Sequence, residues 1–91
     1  MDCAWEAKGA VMRVLINRHL HRQVEKIDGL KIHLDNGEWV HLSPNPEKPR
    51  FEIMAEAGDF DRARQLTQVY RDMILEILHD VGQGGVQKKD E

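Results

Sequence analysis

Two dipeptides, Asp28-Gly29 and Asn36-Gly37, restrict this chain more than anything else in it. Each is a strong two-residue hairpin signal, because both central residues of such a turn must take φ > 0. Between them Leu30, Ile32 and Leu34 alternate with Lys31, His33 and Asp35, the period of two that a half-buried strand requires. A strand bounded by two tight turns belongs to an antiparallel meander. The spacing therefore predicts Trp39 to Leu42 returning beside Leu30 to Leu34, with Gln23 to Ile27 as a further strand candidate before the first turn.

The next stretch gathers all the prolines of the chain, Pro44, Pro46 and Pro49. Each fixes φ near −65° and biases the residue before it to extended geometry, so the connection is stiff without a hydrogen-bonded ladder. Beyond it Phe51, Ile53 and Ala55 alternate with Glu52, Met54 and Glu56, a further strand with one apolar face. Ser43, Asn45, Lys48 and Arg50 lie in or beside the stiff loop and carry donors that an anion needs. A solvated connection kept soluble by Glu47 and Lys48 is the plain alternative.

The flanks read as helices. From Ala4 to about Leu20 the apolar residues Trp5, Val11, Met12, Leu15, Ile16 and Leu20 recur at three- and four-residue spacings. Gly9 weakens that pattern, so either the helix begins later or the glycine permits a close approach. After Gly58, either Asp59 or Asp61 can cap a second helix, whose apolar stripe runs through Ala63, Leu66, Tyr70, Met73 and Ile77. Gly82 is the expected stop, leaving 83–91 as a flexible tail after a single domain of residues 1–82. Helix, antiparallel strands, helix is an α+β order, with about four strands and both helices on one face of the sheet.

A chain of 91 residues supports one domain with a small core and needs no cross-link. The single Cys3 cannot form an internal disulfide, in keeping with a reducing compartment. Net charge is −3, from 13 basic and 16 acidic residues that are interspersed, which argues against a dedicated nucleic-acid binder. No apolar run approaches the ~20 residues of a membrane span. Met1-Asp2 is not followed by the basic and apolar segments of a secretion signal. The expectation is a soluble, cytoplasmic chain with neither nucleic acid nor membrane among its partners.

Other chemistry is sparse. His19, His21, His33, His41 and His79 show no metal-ligand spacing with Cys or carboxylate partners, and read as solvated surface residues. Asp59-Phe60-Asp61 lacks the remaining positions of a calcium loop. No phosphate-cradling glycine turn or GxSxG turn occurs. Trp5 and Trp39 can stack on a ligand, though core packing is the more common use of such residues.

The run Asp28-Gly29-Leu30-Lys31-Ile32, the turn Asn36-Gly37, Trp39, the loop ending at Pro49 and the strand Arg50 to Ala57 resemble the C-terminal domain of the α-D-phosphohexomutases, the phosphomannomutases and phosphoglucomutases. The opening Cys3-Ala4-Trp5-Glu6-Ala7-Lys8-Gly9-Ala10-Val11-Met12-Arg13 is similar to the corresponding helix of bacterial proteins that join a mannose-1-phosphate guanylyltransferase-like region to a phosphomannomutase-like one. The likeness reaches to about Leu78. It implies a TBP-like α+β fold and a place as the last mutase domain, closing over a cleft formed with the remaining mutase domains.

In that family the loop binds the phosphate of a mannose or glucose phosphate, while a phosphoserine and a magnesium ion held by other domains move phosphate between the 6- and 1-hydroxyls. The resemblance thus assigns no catalytic residue, metal ligand or cofactor to this domain, and expects magnesium only in the parent. It points to Ser43, Asn45, Lys48 and Arg50 as the phosphate-contacting group. Counted back from Pro49, Ser43 stands where the family loop has arginine, and Glu47 and Lys48 stand where it has threonines. Charge must then come from Lys48 or Arg50. The same departure supports the alternative of a mutase-fold domain retained for regulation or subunit contact.

Overall fold

A computed structural model describes residues 1–26 and 28–87, with side chains given for those up to 82 apart from 27. Its elements are α1 (Lys8–Arg18), β1 (Val24–Glu25), β2 (Leu30–His33), β3 (Trp39–Pro44), β4 (Phe51–Glu56) and α2 (Phe60–Gln87). The four strands form one antiparallel sheet in the order β1-β2-β3-β4. This is the α+β meander that the two turns demand.

Those turns have the backbone their sequences require. Asp28, Gly29, Asn36 and Gly37 all have positive φ, at 53°, 123°, 63° and 77°. Gly29 has a second reason to lack a side chain: a Cβ there would lie 2.5 Å from the Leu42 carbonyl oxygen and 2.6 Å from the Ser43 Cβ. The turn is therefore pressed against β3 where the proline loop departs. The Asn36-Gly37 connection is longer than a two-residue loop. A short 3₁₀ turn over Asp35–Gly37 is closed by Leu34 N–H donating to the Glu38 carbonyl at 2.8 Å.

Alternation decides which side of the sheet is dry. Leu30 and Ile32 of β2, Val40 and Leu42 of β3, and Phe51 of β4 are fully buried, with Leu30 opposite Leu42 and Ile32 opposite Val40. Val11 and Leu15 of α1 and Leu66, Tyr70, Ile74 and Ile77 of α2 complete the same core, so both helices cover one face. Full burial of each large aliphatic or Phe side chain contributes about 1.5–3 kcal/mol before entropy is subtracted. Lys31, His33, Trp39, His41, Ser43, Glu52, Met54 and Glu56 occupy the alternate positions on the outer face.

The helices differ from expectation at their ends. The first begins as a 3₁₀ turn, Trp5–Ala7, and becomes α-helical only at Lys8. Gly9 makes no close approach, since an added Cβ would meet only Arg13 at 3.8 Å. Leu20 lies beyond the helix and is exposed. For α2, Asp59 is the cap: its Oδ1 accepts from the Arg62 amide at 2.8 Å. Gly82 does not stop the helix, which continues to Gln87. A glycine within a helix costs about 1 kcal/mol and does not by itself end one. The end of the expected tail, 88–91, and Ile27 of the first strand candidate lie outside the described residues.

Two residue classes are placed differently from their sequence reading. Neither tryptophan is core: Trp5 is 50% exposed and Trp39 is half-buried on the outer face. Each is capped by a lysine, Lys8 at 3.6 Å from one ring centroid and Lys31 at 4.5 Å from the other, so a cation replaces apolar cover. His19 is not solvated either. It is 4% exposed, with Nδ1 2.6 Å from the Leu15 carbonyl and Nε2 3.2 Å from the Tyr70 hydroxyl. His33 pairs with Glu25 diagonally across β1 and β2, and His21 and His79 are exposed.

Candidate functional site

The loop between β3 and β4 leaves the sheet at the same end as the Asp28-Gly29 turn, because successive connections of a meander alternate ends. Its shape is set by local bonds. Asn45 N–H donates to the Arg50 carbonyl at 2.9 Å, closing the base of the loop. The Asn45 Oδ1 accepts from the Glu47 and Lys48 amides at 2.8 and 2.9 Å, an Asx turn of the kind asparagine forms readily. Pro46 and Pro49 supply no amide hydrogens, so the turn leaves few donors to satisfy.

The chain's N-terminal residues hold the far side. Asp2 bridges to Arg50 in antiparallel fashion, Cys3 N–H donates to the Pro49 carbonyl at 2.9 Å, and Phe51 N–H donates to the Met1 carbonyl at 2.8 Å. Cys3 itself enters the core, where burial pushes its thiol pKa up and disfavours the nucleophilic thiolate. Beneath the loop lies Lys8, only 8% exposed, whose ammonium donates to the Asn45 carbonyl and to the Lys48 carbonyl at 2.6 Å. Sequence reading missed Lys8. A lysine at the start of an amphipathic helix has no pattern that marks it as buried.

The four candidate residues meet unevenly. Asn45 and Arg50 converge: Asn45 Nδ2 donates to Glu52 Oε2 at 3.0 Å, and Arg50 Nε lies 3.3 Å from the same oxygen. Ser43 is directly across the β3–β4 register from Glu52 and half-buried. Lys48 is exposed, and its charge also reaches Glu52. The hydrogen bond from Asn45 holds the Glu52 carboxyl below its ordinary range, assisted by the charges of Arg50 and Lys48. Donors are thus gathered around one anion, and that anion is the protein's own carboxylate.

An open cleft of about 300 Å³ adjoins this cluster, lined in part by Arg50, Glu52, Thr67, Gln68 and Arg71. It adds the Arg71 side chain of α2 to that of Arg50 in the loop. Among the described residues no three His, Cys, Asp or Glu side chains stand together to hold a metal ion. No helix among them is long and apolar enough to cross a membrane.

No protein-family profile matches the chain. Two proteins do: a probable phosphoglucosamine mutase of Methanopyrus kandleri, 30% identical over 83 residues, and one of Methanococcoides burtonii, 33% identical over 85 residues. The alignments cover 89% and 87% of this chain but 18% of each relative, in the C-terminal part. The chain thus spans under a fifth of the length of the relatives it matches. Phosphoglucosamine mutases are a phosphohexomutase family, in line with the resemblance carried by the turns and the proline loop. Neither name includes a guanylyltransferase.

Proposed function

We propose that this chain is the C-terminal domain of a phosphohexomutase-like protein, and that its proline loop takes the phosphate of a hexose phosphate where the Glu52 carboxylate now lies. One observation carries the reading: Asn45 Nδ2 and Arg50 Nε are aimed at a single anionic oxygen. A phosphate oxygen fits the same two donors, and three further oxygens can draw on Lys48 and Ser43. Binding requires Glu52 to turn away, an inexpensive movement for a side chain that is 47% exposed. The domain proposed is residues 1–82, in which α2 packs on the core as far as Val81.

Alone the chain is not an enzyme. The phosphoserine and magnesium that drive mutase chemistry would belong to the remaining mutase domains, and this loop would bind and orient the sugar phosphate. A nucleotidyltransferase region upstream, as in the bacterial guanylyltransferase fusions, and a cytoplasmic site of action complete the proposal.

Titrating the ¹⁵N-labelled chain with mannose 6-phosphate, glucose 6-phosphate and glucosamine 6-phosphate tests the contact. The expected result is movement of amide signals from Ser43 to Arg50 at millimolar ligand; static loop signals throughout would refute it. A second reading is favoured by the Asx turn, which already uses the Glu47 and Lys48 amides, together with Ser43 at the arginine position. It makes the domain a non-catalytic interaction module. It predicts that removing it from the parent lowers assembly without changing mutase turnover.

A further inference from the structure

Lys8 is a buried charge, and its surroundings are specific. Two of its donors go to carbonyl oxygens of Asn45 and Lys48, and its ammonium also lies 3.6 Å from the centre of the Trp5 ring. An unpaired ammonium at this depth would be costly, so its partners define what it does.

Both carbonyls belong to peptide bonds that precede proline, Asn45–Pro46 and Lys48–Pro49. Such a peptide has a carbonyl oxygen but no N–H. It can turn its oxygen inward to a cation without stranding a donor on the other side. The Lys48 carbonyl accepts from the Arg50 amide as well, at 2.8 Å. The prolines therefore do more than stiffen the loop: they make two of its carbonyls available to one lysine across 37 and 40 residues of sequence.

Resting on the phosphosugar reading above, we infer that Lys8 is the positioning residue of the loop. Its ammonium draws the Asn45 and Lys48 carbonyls, which would repel a phosphate, into the protein. The same tether fixes Asn45 so that its side chain faces Glu52, and leaves the Lys48 side chain outside. It also places a positive charge beneath a loop that lacks the family's arginine. Lys8 does not touch the ligand; it acts through the backbone of the residues that do.

The test uses the full 91-residue chain. Replacing Lys8 by methionine keeps the unbranched shape and most of the length of the side chain and removes the charge and both donors. Amide hydrogen exchange at Asn45 and Arg50 is expected to accelerate about tenfold or more through local opening, while Ile32 and Val40 at the sheet centre exchange as before. The dissociation constant for glucose 6-phosphate is expected to rise about tenfold, and Lys8→Arg, which keeps charge and donors, to restore much of both. A loop that exchanges unchanged in Lys8→Met overturns the inference. If wild type shows no glucose 6-phosphate binding, the phosphosugar reading fails, and the exchange measurement still decides whether Lys8 holds the loop.

Should Lys8→Met not fold, wild type provides the decision. A slowly exchanging Lys8 ammonium signal, with couplings across its hydrogen bonds to the Asn45 and Lys48 carbonyl carbons, supports the tether. A rapidly exchanging ammonium with no such coupling overturns it.

Discussion

Replacing Tyr70 by phenylalanine removes one buried oxygen and little else, and the consequence can be worked out atom by atom. His19 Nδ1 is 2.6 Å from the Leu15 carbonyl, which can only accept, so Nδ1 carries the proton of the neutral ring. Nε2 is then an acceptor, and the Tyr70 hydroxyl 3.2 Å away donates to it. Both residues are buried, at 4% and 6% exposure. The ring contact, with centroids 5.7 Å apart, survives in phenylalanine. What is lost is the partner of a buried nitrogen, at about 1–3 kcal/mol. Tyr70 borders an open cleft with Arg22, Glu38 and Arg62, and water entering there moves the cost toward ~1 kcal/mol.

His19→Leu should cost more. It strands the Tyr70 hydroxyl and also the Leu15 carbonyl, one of the end groups of α1 that the histidine caps. Adding Tyr70→Phe to His19→Leu should then do little harm, because its partner is already gone. Urea unfolding of the two single variants and the double variant measures this directly. The expected coupling is about 0.5–3 kcal/mol, and each kcal/mol lost lowers Tm by roughly 4–8 °C in a domain of this size. Strictly additive single costs, or a Tyr70→Phe variant as stable as wild type, would refute the assigned hydrogen bond.

Other outcomes are equally direct. Glu52→Gln should tighten binding of hexose phosphate to the loop, because it removes the carboxylate that competes for Asn45 and Arg50; the loop amide titration reads this, and weaker binding would argue that Glu52 organises the donors instead. The Glu52 carboxyl is held below the ordinary glutamate value of 4.5, so its contribution to loop order is present at neutral pH and above 4.5, and is lost as pH falls through the lowered value; carboxyl-carbon NMR across acid pH follows it, and an ordinary titration midpoint contradicts the contact. Gly29→Ala should destabilise the fold by more than ~1 kcal/mol, since it combines a positive φ with a collision against the Leu42 carbonyl. Phe51→Ala should cost about 3–5 kcal/mol in urea unfolding, as a fully buried aromatic joining the loop's end to the core.

The sheet was legible because its signals are local. Asp28-Gly29 and Asn36-Gly37 state their backbone conformation, and alternation from Leu30 onward states which face is dry. Long-range pairing is what sequence spacing hides. His19 and Tyr70 lie 51 residues apart and Lys8 and Asn45 lie 37 apart, and no periodicity connects them, so a core histidine and a buried lysine both resembled surface residues. Of the candidate site, the loop and its four polar residues were visible. The central carboxylate of Glu52 was not, because on a strand it reads only as the polar half of an alternation.

The pairing of Met1–Cys3 with residues 49–51 bears on how the molecule assembles. The meander itself closes through neighbours in sequence, which is fast. Its last connection is different: Met1 and Phe51 are separated by 50 positions, so that closure carries the entropy of a long loop and must wait until β4 has been laid down. The proline loop is therefore finished by two segments meeting that lie far apart in sequence. Because Cys3 enters the core beside that contact, protection of its thiol reports when the loop is complete.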